Sequence, residues 1–180
     1  ERGAVIVPAF DDSDIIAGQG TAGLELVRQA RARGAELAAV LTPVGGGGLI
    51  AGVSTAVKAL SPETKVFGVE PAGYDDTLRS LRAGERIGVK PAFRTLCDAL
   101  ESPAPGEITF PIVQKNVSDI AAVDDAEVAE AVRYAAATLK LVVEPGGAAG
   151  LAALLAGKFA NLPDGPAGLV LSGGNIDPDL

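Results

Sequence analysis

The sequence predicts an α/β fold: an open, mostly parallel twisted sheet with helices on both faces. Three observations predict it. Apolar runs of strand length alternate with segments of helical period. The runs are continuous rather than alternating, as in strands covered on both sides. A glycine-rich turn joins one such strand to one such helix. No long linker and no internal repeat divides the 180 residues, which read as one unit over 1–180.

The elements follow in order. "AVIV" at Ala4–Val7 has the look of a short buried strand. After the acidic loop "FDDSD", residues Gln19 to Arg33 carry Leu24, Val27 and Ala30 at helical spacing, and Gly34 stops them. "LAAVLTPV" (Leu37–Val44) is a two-sided strand, and Leu49 to Leu60 a helix opened by glycines and closed before Ser61-Pro62. "KVFGVE" (Lys65–Glu70) is the next strand, and "DDTLRSLRAG" a short helix that Asp75 or Asp76 can cap. Residues 85–118 hold prolines 91, 103, 105 and 111, and "ITFPIV" reads there as an edge strand, where proline is tolerated. "DIAAV" (Asp119–Val123) is a further strand. Asp124 and Glu127 form a capping box for a helix with Val128, Val132, Ala135 and Leu139 on one face. Pro145 to Ala156 is a nearly all-apolar, buried helix ended by Gly157, and "GLVLSGGN" a strand running into a second glycine turn.

Composition narrows the function. A formal charge of −8 without a Lys/Arg cluster argues against nucleic acid or an anionic membrane as partner. No apolar run reaches the length of a membrane span, and no signal-peptide pattern opens the chain. The single cysteine, Cys97, excludes an internal disulfide framework and suits a reducing, cytoplasmic compartment. With no histidine present, chemistry falls to carboxylates, hydroxyls, lysines, backbone amides or a cofactor.

The stretch "PVGGGGLIAG" (43–52) sets four glycines between strand and helix. The first amides of a helix lack intrahelical acceptors and carry the positive end of its dipole. Glycines let that backbone fold tightly and let an anion approach without a Cβ in the way. A phosphate cradle is one reading; a tight turn for close packing is the other. A Walker loop is absent, because Leu49-Ile50 stands where Lys-Ser/Thr is needed. The G-x-G-x-x-G spacing of a dinucleotide site is absent too, although Glu70 lies near the distance of its acidic residue.

Five segments in order resemble one family: "FDDSDIIAGQGTAGLEL" (10–26), "PVGGGGLIAG" (43–52), "VFGVEP" (66–71), "VVEPGGAAGLAAL" (142–154) and "SGGNID" (172–177). The chain is identified as similar to the pyridoxal-phosphate (PLP) serine/threonine dehydratases, which include serine racemases, of the tryptophan-synthase-β-like fold type II. The resemblance implies that the amides of Gly45, Gly46, Gly47, Gly48 and Leu49 hold the cofactor phosphate and that the Ser172 hydroxyl meets the pyridine nitrogen. A neutral hydroxyl does not enforce ring protonation, so the ring is a milder electron sink and β-elimination is favoured. Without the resemblance, Ser172 reads as a turn serine ahead of Gly173-Gly174. In racemase-like members a divalent cation sits at positions that correspond to Glu70, the carbonyl of Tyr74, and Asp76. Oxygen-only ligation there suits Mg²⁺, Mn²⁺ or Ca²⁺, and helix capping by Asp75 or Asp76 is the simpler alternative.

The chain departs from the family in three ways. The cofactor-bonding lysine stands in a Ser-x-Lys-x-Arg-Gly motif, and Lys58, Lys65, Lys90, Lys115, Lys140 and Lys158 all lack that context. Pro8-Ala9 replaces the usual His-Pro, and Asp98-Ala99 replaces an Asp-Gly turn. Glu144, before Pro145, reads as a first-turn acid favoured by the helix dipole, with a place near the cofactor as the alternative. The expectation is therefore the carboxy-terminal portion of a PLP-binding large domain, without its small domain or catalytic lysine. Alone it has no catalytic residue to assign. The complete protein is expected to be a homodimeric lyase that deaminates L-serine- or L-threonine-type amino acids to 2-oxo acids and ammonia. A serine or hydroxyaspartate racemase is the alternative, and the missing half or a complementary chain is the partner. A non-catalytic module that binds a phosphorylated ligand is the rival class if 180 residues is the whole protein.

Overall fold

Strands that are apolar along their whole length need cover on both faces, and helices supply it. A computed structural model describes residues 3, 5–91 and 93–177. Four strands, β1 (Ala39–Pro43), β2 (Lys65–Pro71), β3 (Asp119–Val123) and β4 (Ala167–Leu169), run parallel in the order β3-β2-β1-β4. Six α-helices accompany them among the described residues: α1 (Ser13–Ala32), α2 (Gly48–Leu60), α3 (Asp76–Ala83), α4 (Thr109–Asn116), α5 (Asp125–Tyr134) and α6 (Pro145–Leu155). The strand period of two divides the core. Val40, Val66 and Ile120 pack with Val27 of α1, Val53 and Val57 of α2 and Val113 of α4. On the other face Val69 and Val123 meet Ala148, Ala149 and Ala152 of α6 and Val128 and Ala131 of α5. Phe67, also on that face, is 1% exposed and packs its ring, tilted by 54°, 4.8 Å from that of Phe159. Burial of such a side chain contributes about 2–3 kcal/mol.

Carboxylates start four of these helices. Asp12 accepts from the amides of Asp14 (2.8 Å) and Ile15 (3.2 Å) at α1. The capping box of Asp124 and Glu127 forms as expected, with both bonds at 2.9 Å. The other two caps arrive from distant elements. Glu70, at the end of β2, accepts from Thr77 (3.0 Å) and Leu78 (2.9 Å) at α3. Asp11 accepts from Glu107 (2.9 Å), Ile108 (2.8 Å) and Thr109 (3.2 Å) at α4.

Several expectations from sequence are corrected. "ITFPIV" is helical, not an edge strand: Pro111 lies in the first turn of α4, where an N–H has no intrahelical partner, and Asp11 holds the amides before it. Val5–Val7 is not paired to the sheet and is 68–92% exposed, so it is no buried strand; Ala4 lies outside the described residues. The first helix begins at Ser13 rather than Gln19, because Asp12 caps it. Neither Asp75 nor Asp76 makes a capping bond, since Glu70 has taken the amides of α3. A π-helical turn at Ala135–Leu139 ends α5 and rotates Leu139 to 42% exposure, off the buried face of Val128 and Ala135. The last strand is confined to Ala167–Leu169.

The Asp11 bonds tie two segments nearly a hundred residues apart. Burial opposes ionisation of Asp11, but its three amide partners and the Arg86 charge outweigh that, holding the carboxyl below the usual aspartate value of 3.8. Its stabilisation is therefore full above the unfolded value and lost as pH falls through the lower folded one. Asp11→Ala is expected to cost about 1–2 kcal/mol at neutral pH, as loss of a helix cap does. In thermal unfolding, the gap between native and variant should close as pH is lowered from about 5 towards 3.

Candidate functional site

Two helices lack a carboxylate on their first amides: α6 and, with no capping side chain at all, α2. Its N-cap is Gly47, left-handed at φ 95°, with no side chain to turn back on the amides. Among the described residues, no acceptor is hydrogen-bonded by the amides of Gly45, Gly46, Gly47, Gly48, Leu49 or Ile50; the first main-chain bond of α2 is Ala51 N–H to the Gly47 carbonyl, 2.9 Å. Gly46, Gly47 and Gly48 are buried, so these are donors left unpaired in a place that water reaches poorly.

Packing explains why the turn holds that shape. A Cβ on Gly46 would overlap Cγ, Cδ1 and Cε1 of the Phe10 ring, and one on Gly48 would lie 2.9 Å from Phe10 Cα. Thr109 closes the other side: its Oγ1 donates to the Gly46 carbonyl at 2.8 Å and would stand 2.8 Å from a Gly47 Cβ. The Gly106 amide adds a bond of 3.2 Å to the same carbonyl. Both readings of the glycine run thus hold together, because close packing fixes the turn and leaves its amides free.

The turn forms one wall of a cleft of about 190 Å³, at the carboxyl end of β1. Ala99 and Leu100, packed close to Gly45, and the exposed Ser172 also line it. The structure thus brings Gly45, Gly46, Gly47, Gly48, Leu49 and Ser172 together, and no lysine lines the cleft among the described residues. Ala99, in place of the family's glycine, sits in a 3-10 turn (Asp98–Leu100) at negative φ and needs no special backbone. Phe10 lines the cleft as the floor under the glycine turn. Cys97 is fully buried, and that burial pushes its thiol up to about 12, so it is inert near neutral pH.

Glu70, Tyr74 and Asp76 lie apart from this cleft, where β2 runs into α3. Burial, and then the charge of Asp76, push the Glu70 carboxyl up to about 8. Burial, with the charge of Asp75 adding, pushes Asp76 up to about 7. Both Asp76 carboxylate oxygens are buried without a hydrogen-bond partner among the described residues. No group of three or more His, Cys, Asp or Glu side chains is gathered for a metal among those residues. Sequence reasoning missed Asp11, Thr109 and the capping role of Glu70; each acts through an amide or carbonyl remote in sequence, for which no local pattern exists.

The profile of a family described as pyridoxal-phosphate dependent enzyme matches residues 1–173. The chain is 40% identical over 181 residues to serine racemase of Arabidopsis thaliana, a match covering 98% of this chain and 53% of that protein. It is 41% identical over 182 residues to L-threonine ammonia-lyase of Thermotoga maritima, covering 100% of this chain and 43% of that protein. Among solved structures, a threonine deaminase from T.th. superposes with a TM-score of 0.88 at 51% identity, over 93% of this chain and 59% of that one. The chain spans about half the length of the relatives it matches.

The left-handed N-cap makes one position testable without any ligand. Gly47→Ala places a Cβ in a backbone region L-residues avoid and against Thr109, and is expected to cost about 1–3 kcal/mol. Thermal unfolding of the chain should show a loss of about 2–4 °C per kcal/mol; an unchanged midpoint would mean that the turn relaxes freely.

Proposed function

The chain belongs to the family of pyridoxal-phosphate dependent enzymes, and from that premise we propose that it is the carboxy-terminal, cofactor-holding portion of the large domain of a lyase or racemase acting on β-hydroxy amino acids. The observation that carries the reading is the set of unpaired amides from Gly45 to Ile50. A phosphate dianion is the ligand these donors suit, since the helix dipole and several N–H groups act on one charge. The amides of Gly45, Gly46, Gly47, Gly48 and Leu49 would hold the phosphate, and the hydroxyl of Ser172, which lines the same cleft, would take the ring nitrogen. Bound there, the coenzyme supplies an electron sink beside the amino-acid α-carbon. Phe10 and Leu100 exclude water from the cleft walls, and Thr109 keeps the Gly46 carbonyl turned away from the anion.

The complete enzyme, on this reading, deaminates L-serine- or L-threonine-type substrates to 2-oxo acids and ammonia, with racemisation as the alternative outcome of the same site. The group that moves the α-proton comes from outside the residues lining this cleft, from the remaining half of a longer chain or a complementary one.

Fluorescence titration with PLP, with inorganic phosphate as competitor, tests the cradle. PLP is expected to bind more tightly than phosphate and to be displaced by it, and Ser172→Ala to weaken PLP by about 3–10-fold while leaving phosphate unchanged. Adding a segment with the Ser-x-Lys-x-Arg-Gly motif should restore ammonia release from serine or threonine. PLP binding no tighter than phosphate would overturn the cofactor reading.

We also infer a divalent cation at Glu70, the Tyr74 carbonyl and Asp76, because Asp76 presents two buried oxygens without partners and oxygen donors suit Mg²⁺, Mn²⁺ or Ca²⁺. Each of these ions is expected to raise the unfolding temperature of the native chain by several degrees and that of Asp76→Asn by none. Without added cation, Asp76→Asn should be as stable as the native chain or more so, since it removes an uncompensated buried charge. Equal responses of both proteins to the ions would remove the site.

A further inference from the structure

Glu144 is the N-cap of α6, yet its carboxylate makes no bond to that helix's own amides. It reaches instead to the second glycine turn, where Oε2 accepts from the Asn175 amide at 2.9 Å. Its main chain engages the same turn, with the Glu144 amide donating to the Gly173 carbonyl at 3.0 Å. A Cβ on Gly173 would overlap the Glu144 carboxylate, and a Cβ on Gly147, one turn into α6, would stand 2.8 Å from the Gly173 amide nitrogen. The start of α6 and residues 173–175 are therefore locked together by hydrogen bonds on both sides of a glycine contact. Ser172, next in the chain, is itself exposed and lines the glycine cleft. A helix-starting acid has a ready use in capping its own amides; here that use is given up for a bond that fixes the neighbouring turn.

We propose that Glu144 is a positioning residue: its carboxylate pins the 172–175 turn against α6 and so sets where the Ser172 hydroxyl meets the ring of the ligand held by Gly45–Leu49. The chemistry at Ser172 rests on the cofactor reading above; the pinning of the turn does not. The hydrogen bond accepted from Asn175 is charge-assisted, and an acceptor at that place is what matters. Glutamine keeps an acceptor oxygen, and alanine keeps none.

The test uses the 180-residue chain with Glu144→Ala and Glu144→Gln and three probes: PLP, its carbocyclic analogue with CH in place of the ring nitrogen, and inorganic phosphate. Glu144→Ala is expected to weaken PLP about tenfold while phosphate and the carbocyclic analogue bind as to the native chain. Glu144→Gln should recover affinity to within about threefold of native, and Glu144→Ala should add little to Ser172→Ala. Equal weakening of all three probes would make Glu144 a general support of the fold and overturn the proposal. Hydrogen exchange of the unliganded chain separates this failure from that of the cofactor reading. Faster exchange of the Asn175 amide in Glu144→Ala, by about tenfold, with residues 43–52 unchanged, supports the pinning even where native chain and PLP do not bind. Unchanged exchange at Asn175 overturns it.

Discussion

Helix α2 begins with amides that nothing among the described residues satisfies, and the surrounding packing preserves that deficit. Each buried, unpaired amide costs about 1–3 kcal/mol, a large fraction of the about 5–15 kcal/mol that holds a domain folded. Four other helices of the same chain avoid such a cost with Asp11, Asp12, Glu70 and Asp124. At α2, a side-chain cap is replaced by Gly47, and Phe10 and Thr109 clamp the turn from both sides. On the proposed reading, an anion seated there would return stability to the fold by mass action.

The start of α3 presents the opposite problem. There the amides are satisfied by Glu70, but a second carboxylate, Asp76, is buried beside it without partners. Helix-start amides favour one negative charge; they do not neutralise two in a desolvated corner. Both carboxyls accordingly shift towards the neutral form, to about 8 and about 7. One end of the sheet thus has unpaired amide donors after β1 and crowded carboxyls after β2.

Relatives of this chain carry the names of lyases and of racemases, which is consistent with a cradle that holds a cofactor without dictating the fate of the substrate. A phosphate grip far from the reacting atoms is common to both outcomes; the groups that receive or return a proton decide between them. On the proposed reading, the second glycine turn, at Ser172, is where this chain would address the ring rather than the phosphate, and its attachment to α6 through Glu144 and Asn175 would then have a chemical consequence.

The strands β1, β2 and β3, the capping box at Asp124 and the buried α6 were readable from the sequence, because each rests on neighbours within a few residues: a continuous apolar run, an acid three residues before its amide, a helix with no polar face. The glycine turn was readable for the same reason, as a run whose chemistry is local. What the tertiary structure alone decided are the contacts across long separations. Asp11 converted an apparent edge strand around Pro111 into α4, Glu70 took the amides that Asp75 or Asp76 was expected to cap, and Phe10 and Thr109 determined that the glycines both pack and stay unpaired. A side chain's partners follow local pattern only when those partners are local; a carboxylate that bonds an amide ninety-odd residues away leaves no periodic trace in the sequence and becomes visible only when the sheet has brought the two together.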